Sequence, residues 1–366
     1  MNILLFAAGL GALVLGAQLL VRGASRLALS LGISPLVVGL TVVAFGTSAP
    51  EMAVSVGAVL DGQTDIAIGN VVGSNIFNVL FILGLSALIV PLVVNVQLIR
   101  QEVPIMIGAS LLLLVLVQDG RIGVLDGILL FVLLLAYTVF LVVQSRTAGL
   151  EVQQEFADDL PVSTPGTWDS RVPVQLALIV VGLAGLVLGS DWLVTAAVSF
   201  AKALGVSDLV IALTIVAAGT SLPEVATSVA AALKGERDMA VGNVIGSNTF
   251  NILGCLGLAG LVSGQGLTVA PAVLNFDLWV MVAVAVASLP VFIVGREIGR
   301  GKGILFLAYY AAYVAYLILG AQQHDALDEY SAIMIGFVLP LTIVTLVAML
   351  IRGQKQRDAS DESPVP

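Results

Sequence analysis

The first half of this chain is written again in its second half. Shifted by 173 residues, the sequence aligns with itself without a gap from about residue 9 to residue 85. Gly9 falls on Gly182, Gly16 on Gly189, Gly32 on Gly205 and Thr41 on Thr214. Across residues 32–56, 16 of 25 positions are identical. A fixed register of this kind is the mark of internal duplication. Whatever one half folds into, the other must fold into as well.

Each copy is built from apolar runs of about 20 residues, the length of helix that spans a hydrocarbon core. Only 11% of residues are charged and 59% are hydrophobic, and mean hydropathy is +1.08. Soluble domains carry roughly 25% charged residues. The chain is therefore an all-α integral membrane protein. Eleven candidate spans are read, at 2–22, 35–60, 65–90, 103–118, 122–144, 173–197, 207–233, 239–263, 276–295, 302–320 and 331–351. The first run has no basic flank and has an internal counterpart, so it reads as a span and not as a signal peptide.

The expected organisation follows. A first half covers 1–144 and a second 173–320, joined by an acidic linker at 145–172. An additional span covers 331–351, and a polar tail covers 352–366. The linker holds Glu151, Glu155, Asp158, Asp159 and Asp169 with Pro161, Pro165 and Gly166, which reads as flexible. The net charge of −9 lies largely in the linker, the last loop and the tail, and gives no reason to expect nucleic acid. The single cysteine, Cys255, excludes an internal disulfide. His324 reads as a loop residue.

Lysine and arginine set the expected orientation. With the N-terminus outside, the inner segments carry 13 of these residues, and the outer ones carry only Arg121 and Lys202. The C-terminus is then cytoplasmic. Equivalent positions lie five spans apart, an odd number, so the copies are inserted in opposite senses. Inverted repeats of this type place substrate sites near the midplane, on interrupted helices.

Two motifs repeat most closely. One is Gly46-Thr47-Ser48-Ala49-Pro50-Glu51, matched by Gly219-Thr220-Ser221-Leu222-Pro223-Glu224. A carboxylate inside a span is a functional-site hypothesis by default. Pro50 should interrupt the helix, Gly46 should permit the distortion, and carbonyls around Ala44, Phe45 and Gly46 should lose helical partners. Together with the Thr47 and Ser48 hydroxyls and the Glu51 carboxylate, these form an oxygen-only donor set. Thr220, Ser221 and Glu224 supply its counterpart. Such donors suit hard cations such as Na⁺ and Ca²⁺. Two carboxylates neutralise one Ca²⁺. The second motif runs from Gly69 to Asn78 and again from Gly242 to Asn251. Its glycines have the spacing of close helix packing. Ser74 and Asn78 share a face, as do Ser247 and Asn251, and both pairs are expected to complete the cation site.

These doubled motifs resemble the α-repeats of the sodium/calcium exchangers, within the cation/calcium antiporter superfamily, in their compact prokaryotic form. The resemblance implies ten core spans in two inverted five-helix halves with a cluster of ion sites at the centre. It implies Glu51 and Glu224 as principal ligands, with further oxygens from Thr47, Ser48, Thr220, Ser221, Ser74 and Ser247. It implies carbonyl ligands at Ala44 and Ala217, and Asn78 and Asn251 completing the centre. Potassium-dependent relatives carry an acidic residue where Asn251 stands, which argues against K⁺ co-transport. The eleventh span departs from the ten-span pattern and is expected at the periphery. Spans one and six are the implied moving pair.

The expected function is antiport of Ca²⁺ against Na⁺ by alternating access in an inner membrane, with no enzymatic activity and no cofactor beyond the transported ions. Membrane lipid is the one other partner expected. An H⁺-coupled exchanger of the same fold is the alternative, and a passive cation channel is the reading from another class.

Overall fold

In a computed structural model the described residues are 2–147, 169, 171–204, 217–345, 347 and 351. Among them, nine helices are long and apolar enough to cross a membrane, and one bent pair makes a tenth. In chain order these are α1 (Asn2–Leu31), the bent pair α2 (Pro35–Thr47) and α3 (Ala49–Leu60), α4 (Thr64–Ile89), α5 (Leu98–Asp119) and α6 (Val124–Ser145). The second half gives α7 (Val172–Ala203), the short α8 (Ala217–Gly219), α9 (Leu222–Leu233), α10 (Arg237–Val262), α11 (Val273–Ile293) and α12 (Arg300–Ala321). The additional span is α13 (Ala326–Thr345). Ten of the eleven expected spans find a counterpart, and of the seventh, 207–233, the described part is α8 and the short apolar α9. The first part of the seventh, residues 205–216, lies outside the described residues.

Helices α4 and α10 form the middle of the bundle and are mostly buried, whereas the described part of α13 has no buried residue. The last span therefore sits at the periphery. It leans on α12, where Tyr330 Oη donates to the Ala312 carbonyl at 2.7 Å.

Helix α1 runs past its expected end at residue 22, and α7 past residue 197. The reason is their mutual contact. Gly9, Gly16 and Gly23 are seven apart, two helical turns, so they line one face. Gly9 lies against Gly189 and Leu193, Gly16 against Gly182 and Leu186, and Gly23 against Gln175. The order is reversed, so the helices are antiparallel. A Cβ on Gly16 would lie 2.8 Å from the Gly182 carbonyl oxygen, and one on Gly189 2.7 Å from the Leu13 nitrogen. Small residues are what allow two backbones this close.

The end of the linker is not loose. Asp169 is buried and its Oδ2 meets Arg22 Nε at 2.8 Å and Arg26 Nε at 3.4 Å. Gln175 Nε2 donates to the Asp169 carbonyl at 3.1 Å and to Ser30 Oγ at 2.7 Å. The residues that looked like the loop after a first span are thus a helical face neutralised by the linker. The remainder of the linker, 148–168, lies outside the described residues, as does the tail. Asp169→Asn keeps the shape and removes the charge. Both arginines retain solvent contact, which screens the pair. The expected loss is about 1 kcal/mol, read as a small drop in melting temperature with exchange retained.

Two short strand pairs show the inversion. β1 (Leu92–Val93) pairs antiparallel with β4 (Glu297–Ile298), and β2 (Arg121–Ile122) with β3 (Leu267–Thr268). β1 follows α4, and β3 follows its repeat counterpart α10. The two equivalents nevertheless join different pairs, separated by a full membrane crossing. The repeats are therefore inverted, and among the described residues each end of the molecule has one clip between the halves.

The local irregularities repeat as well. π-turns occupy Asn78–Ile82 and Asn251–Cys255, offset by the same 173 residues. Another pair occupies Leu98–Glu102 and Val273–Asp277. Such turns widen a helix by one residue and recur at functional positions.

Candidate cation site

The helix break falls on Ser48, between α2 and α3, which bend by 41°. Ser48 has φ −80° and ψ 4°, and its counterpart Ser221 has φ −90° and ψ 6°. Pro50 and Pro223 occupy the first turn of the following helix, where a missing N–H costs nothing. The prolines start a helix here and do not kink one.

Two details differ from expectation. The Ala44 carbonyl keeps a helical partner: it accepts the Ser48 N–H at 3.0 Å and Thr47 Oγ1 at 3.4 Å. The break lies one turn later than the proline rule suggests. Gly46 sits in ordinary helix, and what it accommodates is Leu183, whose methyl would be 2.7 Å from a Cβ there. Gly219 does the same for Val194 at 2.6 Å. These glycines bring α7 close to the site.

Glu51 and Glu224 are both fully buried. Each is held by a serine of the opposite repeat. Ser221 Oγ donates to Glu51 Oε1 at 2.8 Å, and Ser48 Oγ donates to Glu224 Oε1 at 3.1 Å. Ser221 Oγ also lies 3.1 Å from Ser74 Oγ, and Ser247 Oγ lies 3.5 Å from Glu224 Oε1. The two breaks thus interlock, and the structure brings Ser48, Glu51, Ser74, Ser221, Glu224 and Ser247 into one cluster. Oε2 of both glutamates is buried with no hydrogen-bond partner, as is Asn78 Oδ1.

The threonines reach a second layer. Thr47 Oγ1 donates to Asn243 Oδ1 at 3.2 Å, and Thr220 Oγ1 to Asn70 Oδ1 at 3.4 Å. Asn70 Nδ2 in turn donates to the Glu51 carbonyl at 3.2 Å and Ser55 Oγ at 3.1 Å. Asn243 Nδ2 donates to Ser228 Oγ at 2.9 Å. Asn78 and Asn251 open their π-turns beside this cluster, one turn after Ser74 and Ser247. Ala217 is the first residue of α8.

Sequence reasoning passed over Asn70, Asn243, Asn75, Asn248, Ser55 and Ser228. All are repeated, polar and inside apolar runs, and that combination was the available signal. It also passed over two other carboxylates, the buried Glu102 and the half-buried Asp277. Glu102 accepts from Tyr137 Oη at 2.8 Å, Gln97 Nε2 at 3.1 Å and Gln101 Nε2 at 2.6 Å. Asp277, its repeat counterpart, accepts from Tyr313 Oη at 2.8 Å. Both oxygens of Glu102 are met by donors, which suits a structural anchor. The open oxygens of Glu51 and Glu224 are different.

Gly242 and Gly246 pack as their spacing predicts, against Leu36, Leu40 and Ala44 of α2. The equivalent partners of Gly69 and Gly73 fall at or beside residues 205–216, outside the described residues. Cys255 is buried and free, and His324 is exposed in the loop before α13. Among the described residues, no three His, Cys, Asp or Glu side chains cluster as a metal site would. The formal charge of the cluster is that of its two glutamates.

Three comparisons bear on this arrangement. A family model described as "Sodium/calcium exchanger protein" matches residues 1–143 and 174–319, both repeats without the linker. The chain is 35% identical over 345 residues to the sodium/calcium exchanger MaX1 of Methanosarcina acetivorans, covering 86% of this chain and 98% of that protein. It is 36% identical over 252 residues to the inner membrane protein YrbG of Escherichia coli, covering 68% and 76%. A solved structure of the sodium-calcium exchanger NCX_Mj, soaked with 10 mM Na⁺ and 10 mM Sr²⁺, superposes with a TM-score of 0.72 at 33% identity. That match covers 86% of this chain and 97% of the other. A multi-pass helical membrane protein, with duplicated motifs interlocked at its centre and this likeness along both halves, belongs to the sodium/calcium exchanger family.

Proposed function

We propose that the protein exchanges Ca²⁺ for Na⁺ across the membrane by alternating access, with Glu51 and Glu224 as the principal ligands. One observation carries the reading. Two fully buried carboxylates, one from each inverted repeat, each keep an oxygen without a hydrogen-bond partner. Buried anions are costly unless neutralised. A divalent cation between them removes the charge of both. The two carboxylates, the hydroxyls of Ser48, Ser221, Ser74 and Ser247 and the Ala217 carbonyl bring the donor set into the range of six to eight oxygens that Ca²⁺ takes, and the Ala44 carbonyl joins it when Thr47 Oγ1 turns away from it. Thr47 and Thr220 shape that set through Asn243 and Asn70, and Asn78 and Asn251 close it.

Na⁺ takes the same hard oxygen donors, so it competes with Ca²⁺ for the same shell. Exclusive occupancy by one ion or the other is what an antiporter requires. Support for Na⁺ over H⁺ comes from the relatives named as sodium/calcium exchangers, MaX1 and NCX_Mj. The α1–α7 pair is the moving part in this reading. It packs on itself along a glycine seam, and it touches the site through Leu183 and Val194. The surplus of basic residues on one side puts the N-terminus outside and the C-terminus in the cytoplasm.

Purified protein in liposomes, with radiolabelled calcium outside, tests the coupling. Uptake should follow an outward-directed Na⁺ gradient and ignore a pH gradient. Uptake driven by the pH gradient alone assigns the return step to protons. Equilibration without any gradient assigns the chain to the channel class.

A further inference from the structure

Asn78 and Asn251 each end in an amide that can present either an oxygen or an NH₂ group. Only the oxygen attracts a cation. Which one faces the site is decided elsewhere, by two asparagines absent from the ligand set.

Asn75 Nδ2 donates to the main-chain carbonyl of Asn248 at 3.3 Å, and Asn248 Nδ2 donates to the main-chain carbonyl of Asn75 at 3.2 Å. A main-chain carbonyl can only accept, so these bonds fix both amides without ambiguity. The second side of each NH₂ group faces a thioether: Met281 Sδ for Asn75 and Met106 Sδ for Asn248, both at 3.6 Å. Both amide oxygens are thereby turned the other way. There Asn75 Oδ1 accepts Asn251 Nδ2 at 3.3 Å, and Asn248 Oδ1 accepts Asn78 Nδ2 at 3.0 Å.

The NH₂ groups of Asn78 and Asn251 are therefore held away by acceptors, and their oxygens are left over. Asn78 Oδ1 is buried and unpartnered, and Asn251 Oδ1 meets only the weak Cys255 thiol donor at 3.6 Å. Asn78 lies on the face of α4 that carries Ser74, and Asn251 on the face of α10 that carries Ser247. Those serines contact Ser221 and Glu224.

We propose that Asn75 and Asn248 are positioning residues, a crossed pair at the repeat interface that locks Asn251 and Asn78 with their oxygens toward the cation. This rests on the ligand set proposed above. Neither residue touches the ion. Their effect is to remove half of the orientations that the two central amides would otherwise sample, and the wrong half would aim N–H groups at a cation.

Equilibrium binding of radiolabelled calcium to the purified protein in detergent tests this without reference to the coupling ion. Asn75→Leu, close in volume but without an acceptor, should weaken Ca²⁺ binding about tenfold or more. Asn251→Asp presents oxygen in both orientations and needs no lock. In the Asn251→Asp background Asn75 Oδ1 faces a second acceptor, so Asn75→Leu should not weaken binding there. A merely structural role would weaken binding by the same factor in both backgrounds, and that result overturns the proposal. So does wild-type affinity in Asn75→Leu alone. Asn248→Leu with Asn78→Asp repeats the cycle from the other side and decides the matter if Asn75→Leu does not insert. Glu51→Gln is measured alongside. Retained calcium binding in Glu51→Gln removes the ligand set itself, whereas its loss beside a silent Asn75→Leu removes only the lock.

Discussion

Glu51→Gln and Glu224→Gln should each abolish exchange, by about two orders of magnitude or more, while the protein inserts and folds at least as well as before. The fold-change follows from charge. With one carboxylate neutral, a divalent ion leaves a net positive charge in a site with no other anion among the residues that form it. A buried unit of charge without a counter-charge is worth several kcal/mol, and each 1.4 kcal/mol is a factor of ten. The stability expectation runs the other way. Gln has the shape of Glu, retains an oxygen for the Ser221 or Ser48 hydroxyl, and removes one of two neighbouring buried anions. Melting of the ion-free variants should occur at or above the wild-type temperature. Calcium should then raise the melting temperature of the wild type and leave both variants unmoved, since only a ligand that binds the native state stabilises it. A Glu51→Gln protein that still responds to calcium removes that residue from the site.

The second large effect is expected at a residue outside the ligand set. Gly16→Leu places a side chain where a Cβ alone would lie 2.8 Å from the Gly182 carbonyl oxygen and the Leu186 nitrogen. Main-chain atoms of a helix cannot step aside as a flexible side chain can. Overpacking typically costs about 1–3 kcal/mol, and contact with helical backbone belongs at or above the top of that range. The α1–α7 pair must open, and Leu183 and Val194 move off Gly46 and Gly219. Exchange should be lost together with a drop of several degrees in melting temperature. Gly11→Ala is the control, because no described atom lies within 4 Å of a Cβ there. It should leave both stability and exchange unchanged. Equal damage from both substitutions would mean that α1 does not tolerate side chains at its glycines in general, and that the seam is not what is being measured, since Ala and Leu are both better helix formers than Gly.

Much of this architecture was readable from the letters. Proline and glycine in an apolar run mark a helix break, and the break is there, at Ser48 and Ser221. The odd spacing of the repeats implied inversion, and the strand clips bear it out. What escaped was decided by tertiary pairing. Gly46 was assigned a backbone role, but its neighbour Leu183 comes from a helix about 137 residues away, beyond the reach of local rules. Asn75 and Asn248 do not share the i, i+4 face of the ligands, so a search along one face skips them. Glu102 and Asp277 lie at span ends, where a carboxylate looks interfacial until its tyrosine is located. Asp169 carried the composition of a flexible linker, and only the arginines of α1 reveal it as docked.

The crossed serines have a consequence for how such a chain can change over time. Glu51 takes its hydroxyl from Ser221, and Glu224 takes its own from Ser48. Neither copy of the motif supplies the serine that holds its own carboxylate, so a single copy is not a site. A substitution in either copy is felt by the carboxylate of the other, and the two cannot drift apart independently. The internal likeness of the chain is dense where its halves meet. Eight of ten positions agree between 69–78 and 242–251, and five of six between 46–51 and 219–224. Each half has remained the template against which the other is judged.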